Sequence, residues 1–116
     1  MRYLFLIYGC EDAPPAATEE EGRKMMQEWV DYTQALQDAG VLLAGDALQH
    51  TSNTTTVAVR DGQQTLTDGP FAETREVLGG YYLVDVPDLD TATAWAAKCP
   101  GAFSGSIEVR PIQEFD

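Results

Sequence analysis

Positive charge is scarce in this sequence of 116 residues: seven Lys and Arg stand against nineteen Asp and Glu, for a formal net charge of −12. Phosphate backbones are held by basic patches that release counterions. The few basic residues here are scattered and form no stripe, which argues against a nucleic-acid partner. Cysteine is nearly absent as well. Cys10 and Cys99 lie far apart, with no CxxC spacing and no histidine beside them, so neither a zinc knuckle nor a redox pair is indicated. Long apolar runs are missing: the longest, Tyr3 to Tyr8, falls far short of the roughly 20 residues that cross a bilayer. The N-terminus has no signal-peptide core and no small-residue cleavage site, and the expected location is the cytoplasm. No metal-ligand spacing, nucleophile elbow or cofactor fingerprint occurs, so the enzymatic class left is a cofactor-independent one.

What is present suits a folded domain. The 44% hydrophobic and 22% charged fractions are ordinary for a globular chain, and its length can bury roughly two thirds of the unfolded surface in one core. We expect one domain over residues 1–116. "RYLFLIY" (2–8) reads as a strand closed by Gly9. Thr18 and Glu21 make a capping-box pattern, and Glu19, Glu20 and Glu21 suit the positive end of a helix dipole. Met25, Trp29, Tyr32 and Leu36 then fall on one helical face, and Gly40 is the natural stop.

Residues 41–49 and 54–60 read as strands, and Asp61-Gly62 is a tight-hairpin signal leading into "QQTLT". Residues 81–86 form another strand, Asp88 caps a second helix that Pro100 ends, and 105–112 is the last strand. The order is β-α-β-β-α-β with a hairpin excursion. It predicts an α+β, ferredoxin-like fold with both helices on one face of an antiparallel sheet.

The other face of that sheet ought to be polar, and it is not. Side chains alternate along a strand, so Tyr3, Phe5 and Ile7 take one face while Leu4, Leu6 and Tyr8 take the other; Tyr81 and Leu83 oppose Tyr82, Val84 and Val86 in the same way. An apolar sheet face needs a cover. A second copy packed face to face about a two-fold axis supplies one, which predicts a homodimer with a barrel-like interior. The alternative is a monomer in which residues 62 to 78 fold over the face.

The stretch "TDGPFAETREVLGGYY" (67–82) carries a family signature. Asp68, Gly69, Pro70 and Phe71, together with "YLFLIYG", "AGVLLAGDALQ" and "SIEVRPI" in order and spacing, resemble the DGPF or YCII-related family of small bacterial proteins. The resemblance covers nearly the whole chain and implies the dimeric α+β barrel group, which includes isomerases and dehydrochlorinases of ring compounds. It also implies, for some members, an association with extracytoplasmic-function sigma factors. In YciI-like relatives a histidine on the first helix and an aspartate are proposed to act together. Here the first helix offers Glu28, Trp29 and Asp31 at that place, so the dyad is not carried over.

Two readings of the chemistry stay open. In one, Asp68 and Glu73 converge on a small cavity as general acid and base, with His50 as a further proton carrier and Arg75 holding an anionic substrate. Tyr8, Tyr81 and Phe71 then line the site, and Asp46, just after Gly45, is a third carboxylate of interest. In the other, Asp68 fixes a turn, Phe71 plugs a dimer core and Arg75 pairs with Glu76 at the surface. The first implies a small-molecule ligand between two sheets and isomerase or lyase chemistry. The second implies a non-catalytic ligand-binding or regulatory module.

Overall fold

Six strands and two helices make up the structure, a computed structural model that describes residues 1–115. The elements are β1 (Arg2–Gly9), α1 (Glu19–Asp38), β2 (Leu42–Ala47), β3 (Thr55–Arg60), β4 (Gln63–Asp68), β5 (Val77–Asp85), α2 (Leu89–Ala96) and β6 (Ser106–Pro111). Short 3₁₀ turns occur at Thr51–Asn53 and Pro100–Ala102. The main sheet is antiparallel with order β2-β5-β1-β6, the ferredoxin-like arrangement that the element order implies.

The hairpin excursion is larger than the sequence reading made it. β3 and β4 pair only with each other, as a separate two-stranded sheet, so the strand read at 54–60 is not part of the main sheet. Asp61 and Gly62 both take positive φ (52° and 75°), the turn that matches strand twist in a two-residue hairpin. We call this ribbon the arm.

The caps behave as their chemistry dictates. Thr18 Oγ1 accepts the Glu21 N–H at 3.0 Å, while the Glu21 carboxylate takes the N–H of Ala17, one residue ahead of the cap. Asp88 accepts the Thr91 N–H at 2.8 Å and starts α2. On α1 the apolar stripe is narrower than its spacing suggests: Tyr32 and Leu36 are buried, Trp29 is half-buried and Met25 is exposed.

One face of the sheet forms the core with both helices. Phe5, Leu36, Val84 and Cys99 are the largest fully buried side chains, with Tyr3, Tyr32, Tyr82, Ala92 and Ala96 around them. Tyr32 and Tyr82 meet edge to face with centroids 5.5 Å apart. Their hydroxyls are both used, Tyr32 donating to the Trp95 carbonyl at 2.8 Å and Tyr82 sharing a hydrogen bond with Thr33 at 2.7 Å. These bonds lock α1 to α2 and to β5.

The opposite face stays uncovered by the chain itself. Cross-strand rows place Asp46, Tyr81, Leu6 and Glu108 side by side, followed by Ala44, Leu83, Leu4 and Arg110. Residues 62–68 and 71–76 are exposed, and the molecule is only 18 Å deep along its shortest axis. Self-covering by residues 62 to 78 therefore does not occur. Among the described residues no helix is long and apolar enough to cross a membrane.

Candidate functional site

The glycines of this chain gather where the strands end. Gly9 closes β1, Gly45 lies in β2, and Gly79 and Gly80 lie near the start of β5. The Gly-Gly step sits inside the strand, and it creates a bulge: Ile7 pairs with Gly80 but Tyr8 pairs with Leu78, so Gly79 is the extra residue. At Gly80 a Cβ would stand 2.9 Å from the Asp46 carbonyl oxygen, and at Gly45 one would stand 2.7 Å from the Tyr82 ring. Glycine at both lets the β2 backbone and the Tyr82 ring close in on β5.

Backbone without side chains, next to a short edge strand, leaves space. A cleft of about 670 Å³ opens at this end of the sheet, within the size range of small-molecule sites. Its helix side is lined by Ile7, Met26, Trp29, Thr33 and Tyr82, its open side by Tyr8, Asp46 and Tyr81, and its rim by Cys10, Glu11 and His50. The lining includes the carboxylates of Glu11 and Asp46 and no Lys or Arg.

Two polar groupings stand in that lining. Tyr81 donates its hydroxyl to Asp46 Oδ2 at 2.7 Å, and this bond to a carboxylate raises the Tyr81 phenol above its ordinary value. One Asp46 oxygen is thereby held, and the other is available to a ligand. The second grouping is His50 with Glu11. The His50 Nδ1 accepts the Ser52 N–H at 3.1 Å, so the proton of the neutral ring sits on Nε2. That Nε2 faces Asp12 at 3.4 Å and Glu11 at 3.5 Å. Glu11 in turn accepts from the Thr51 N–H at 3.0 Å and from the Thr51 hydroxyl, which ties the end of β1 to the turn after β2. Both carboxylates approach the same His50 nitrogen. Among the described residues, no three His, Cys, Asp or Glu side chains are arranged to hold a metal ion.

Of the eight residues singled out in the sequence, four line the cleft: His50, Asp46, Tyr8 and Tyr81. The other four do not. Asp68 ends β4 at the root of the arm, and Glu73 and Arg75 are exposed in the segment between β4 and β5. Phe71 is 91% exposed. The corner at Asp68-Gly69 is fixed through backbone: the Gly69 N–H donates to the Thr54 carbonyl and the Thr56 hydroxyl to the Gly69 carbonyl, each at 2.7 Å, with Gly69 at φ 100°. Glu11, Trp29 and Thr33 are lining residues that sequence reasoning did not select. Trp29 and Thr33 sit on α1 one turn apart, where their spacing reads as core. Glu11 carried one usable signal, an acid set directly past the end of a strand.

An α+β sheet of ferredoxin-like order with an open cleft at its glycine-lined end defines the structural class. The chain belongs to the YCII-related domain family, whose model matches residues 1–116. It is also similar to an uncharacterised protein of Rhizobium meliloti strain 1021, with 35% identity over 114 residues, covering 97% of this chain and 92% of that one. The family is one of uncharacterised function.

Proposed function

We propose that this protein binds a small uncharged or cationic ring compound in the cleft and moves a proton on it without a cofactor. The observation that carries the reading is the Asp46–Tyr81 pair at the wall of a cleft whose helix side is lined mainly by Ile7, Met26, Trp29 and Tyr82. Asp46, with one oxygen held by Tyr81, takes a proton from carbon beside a carbonyl and returns it to another carbon of the same molecule, which amounts to isomerisation. The His50 Nε2–H at the rim, which faces the exposed Asp12 carboxylate at 3.4 Å, becomes the donor for the oxygen on which negative charge develops when that oxygen displaces Asp12. Asp68 and Glu73 have no part in the proton transfer within one protomer, since neither lines the cleft. Arg75 is likewise no anion anchor there, and the acids of the lining favour neutral or positive ligands.

The reading includes a homodimer in which the uncovered sheet faces meet. Leu4, Leu6, Tyr81 and Leu83 support it, being apolar residues on the face that no other element of the chain covers. Trp29 lines the cleft and Trp95 does not, so ligand occupancy is read by Trp29 fluorescence. Titration with small cyclic ketones, lactones and amines should give a saturable change that disappears in Trp29→Phe and persists in Trp95→Phe. A change that survives Trp29→Phe would place the ligand elsewhere.

A second reading, a regulatory module working with a sigma-factor system, is favoured by one observation. The Asp68-to-Phe71 signature lies outside the cleft with Phe71 turned to solvent. On that reading Phe71→Ala abolishes a partner complex and leaves the Trp29 response intact.

A further inference from the structure

The arm is the least supported part of the molecule. A lone two-stranded ribbon is at best marginally stable in water, yet β3 and β4 have no third strand and pack extensively only on each other. One face of the ribbon is apolar: Val57 pairs directly with Leu66, and Val59 follows two residues along. These three side chains are 58%, 62% and 58% exposed respectively. The arm also makes the molecule broad, with a radius of gyration of 16.5 Å, where a compact chain of this length has about 13 Å. Because the shortest extent remains 18 Å, the arm runs sideways past the body and does not fold back on it.

We propose that the arm is a clasp for a second copy of this chain, closing the rim between two facing sheets. This rests on the sheet-facing dimer above. Three observations select a second copy as the occupant. The chain carries two unpartnered apolar surfaces, the open sheet face and the arm, and a two-fold dimer covers both reciprocally with one operation. The arm from Thr55 to Asp68 holds one Arg and two Asp, so it carries only −1 in a chain of net charge −12 and is a segment that another such chain approaches with little repulsion. The dimensions also agree: strands of six residues reach about 20 Å, while a four-stranded sheet is about 14 Å wide.

Thr56 and Thr67 are Cα partners, so residues 57–66 can be replaced by Asn-Gly while the Thr56 hydroxyl bond to the Gly69 carbonyl at the root of the arm is kept. The arm-deleted chain, the double variant Val57→Asp/Leu66→Asp and the sheet-face variant Leu6→Asp are compared with the unaltered chain by sedimentation equilibrium, with circular dichroism as the check of folding. The expected result is that arm deletion and the double variant each weaken the dimer by about a hundredfold or more, in line with loss of buried anchor residues. An unchanged dimer constant in both, with dissociation in Leu6→Asp, would overturn the clasp and leave the sheet-facing dimer standing. An unaltered chain that sediments as a monomer would overturn both, whichever other partner then binds the arm.

Discussion

Gly105 stands just ahead of β6, where a Cβ would run into the Tyr8 carbonyl oxygen, a backbone atom that cannot rotate away. Gly105→Ala should therefore destabilise the fold by about 1–3 kcal/mol through forced backbone movement, read as a lower urea midpoint with unchanged slope. Tyr32→Phe tests a different kind of contact. It removes the Tyr32 donor to the Trp95 carbonyl and should reduce stability by about 0.5–1.5 kcal/mol, the net worth of one hydrogen bond, since that carbonyl keeps the Lys98 N–H at 3.1 Å. At this scale the sequence was partly legible. His50, Asp46, Tyr8 and Tyr81 were selected by chemical type and position and do line the cleft. Asp68 and Phe71 were selected as part of the family signature, with Glu73 as a second carboxylate and Arg75 as an anion anchor just past it. Nearness in sequence did not bring them to the cleft, since the arm's root and the segment after it hold them outside it.

A helix cap and a C-terminal ion pair shape the response to acid. The Asp88 carboxyl is held below its ordinary value by its hydrogen bonds from Thr91, and the Glu114 carboxyl by its bond and attraction to Arg2. A carboxyl with a depressed folded-state value contributes stability that is present above its unfolded value and lost as pH falls through the folded one. Stability should thus decline from about pH 4 downward, and the decline should be shallower in Asp88→Ala, measured by urea unfolding across that range. Thr18→Ala, which removes the α1 cap, should lower stability by about 1 kcal/mol at any pH. The elements themselves were legible because caps, turn residues and strand alternation are local. Whether β3 joins the main sheet is a matter of which strand pairs with β2, and β5 takes that place. Local pattern carries no information on that choice.

The whole molecule is a strongly acidic plate with uncovered apolar residues on its open sheet face and on the arm. Two copies at −12 each repel, and added salt screens this repulsion over a Debye length of about 8–10 Å near physiological strength. The proposed dimer should therefore tighten as sodium chloride is raised from low to physiological concentration, by sedimentation equilibrium; a dimer held chiefly by ion pairs would loosen instead. The most direct test of the proposed proton-transfer site is deuterium exchange in D₂O, followed by NMR, on small cyclic ketones and lactones with a C–H beside the carbonyl. The unaltered protein should incorporate deuterium at that carbon, Asp46→Asn should lose the activity while remaining folded, and Asp68→Asn should retain it. Exchange that persists in Asp46→Asn and vanishes in Asp68→Asn would contradict the assignment of the chemistry to the cleft.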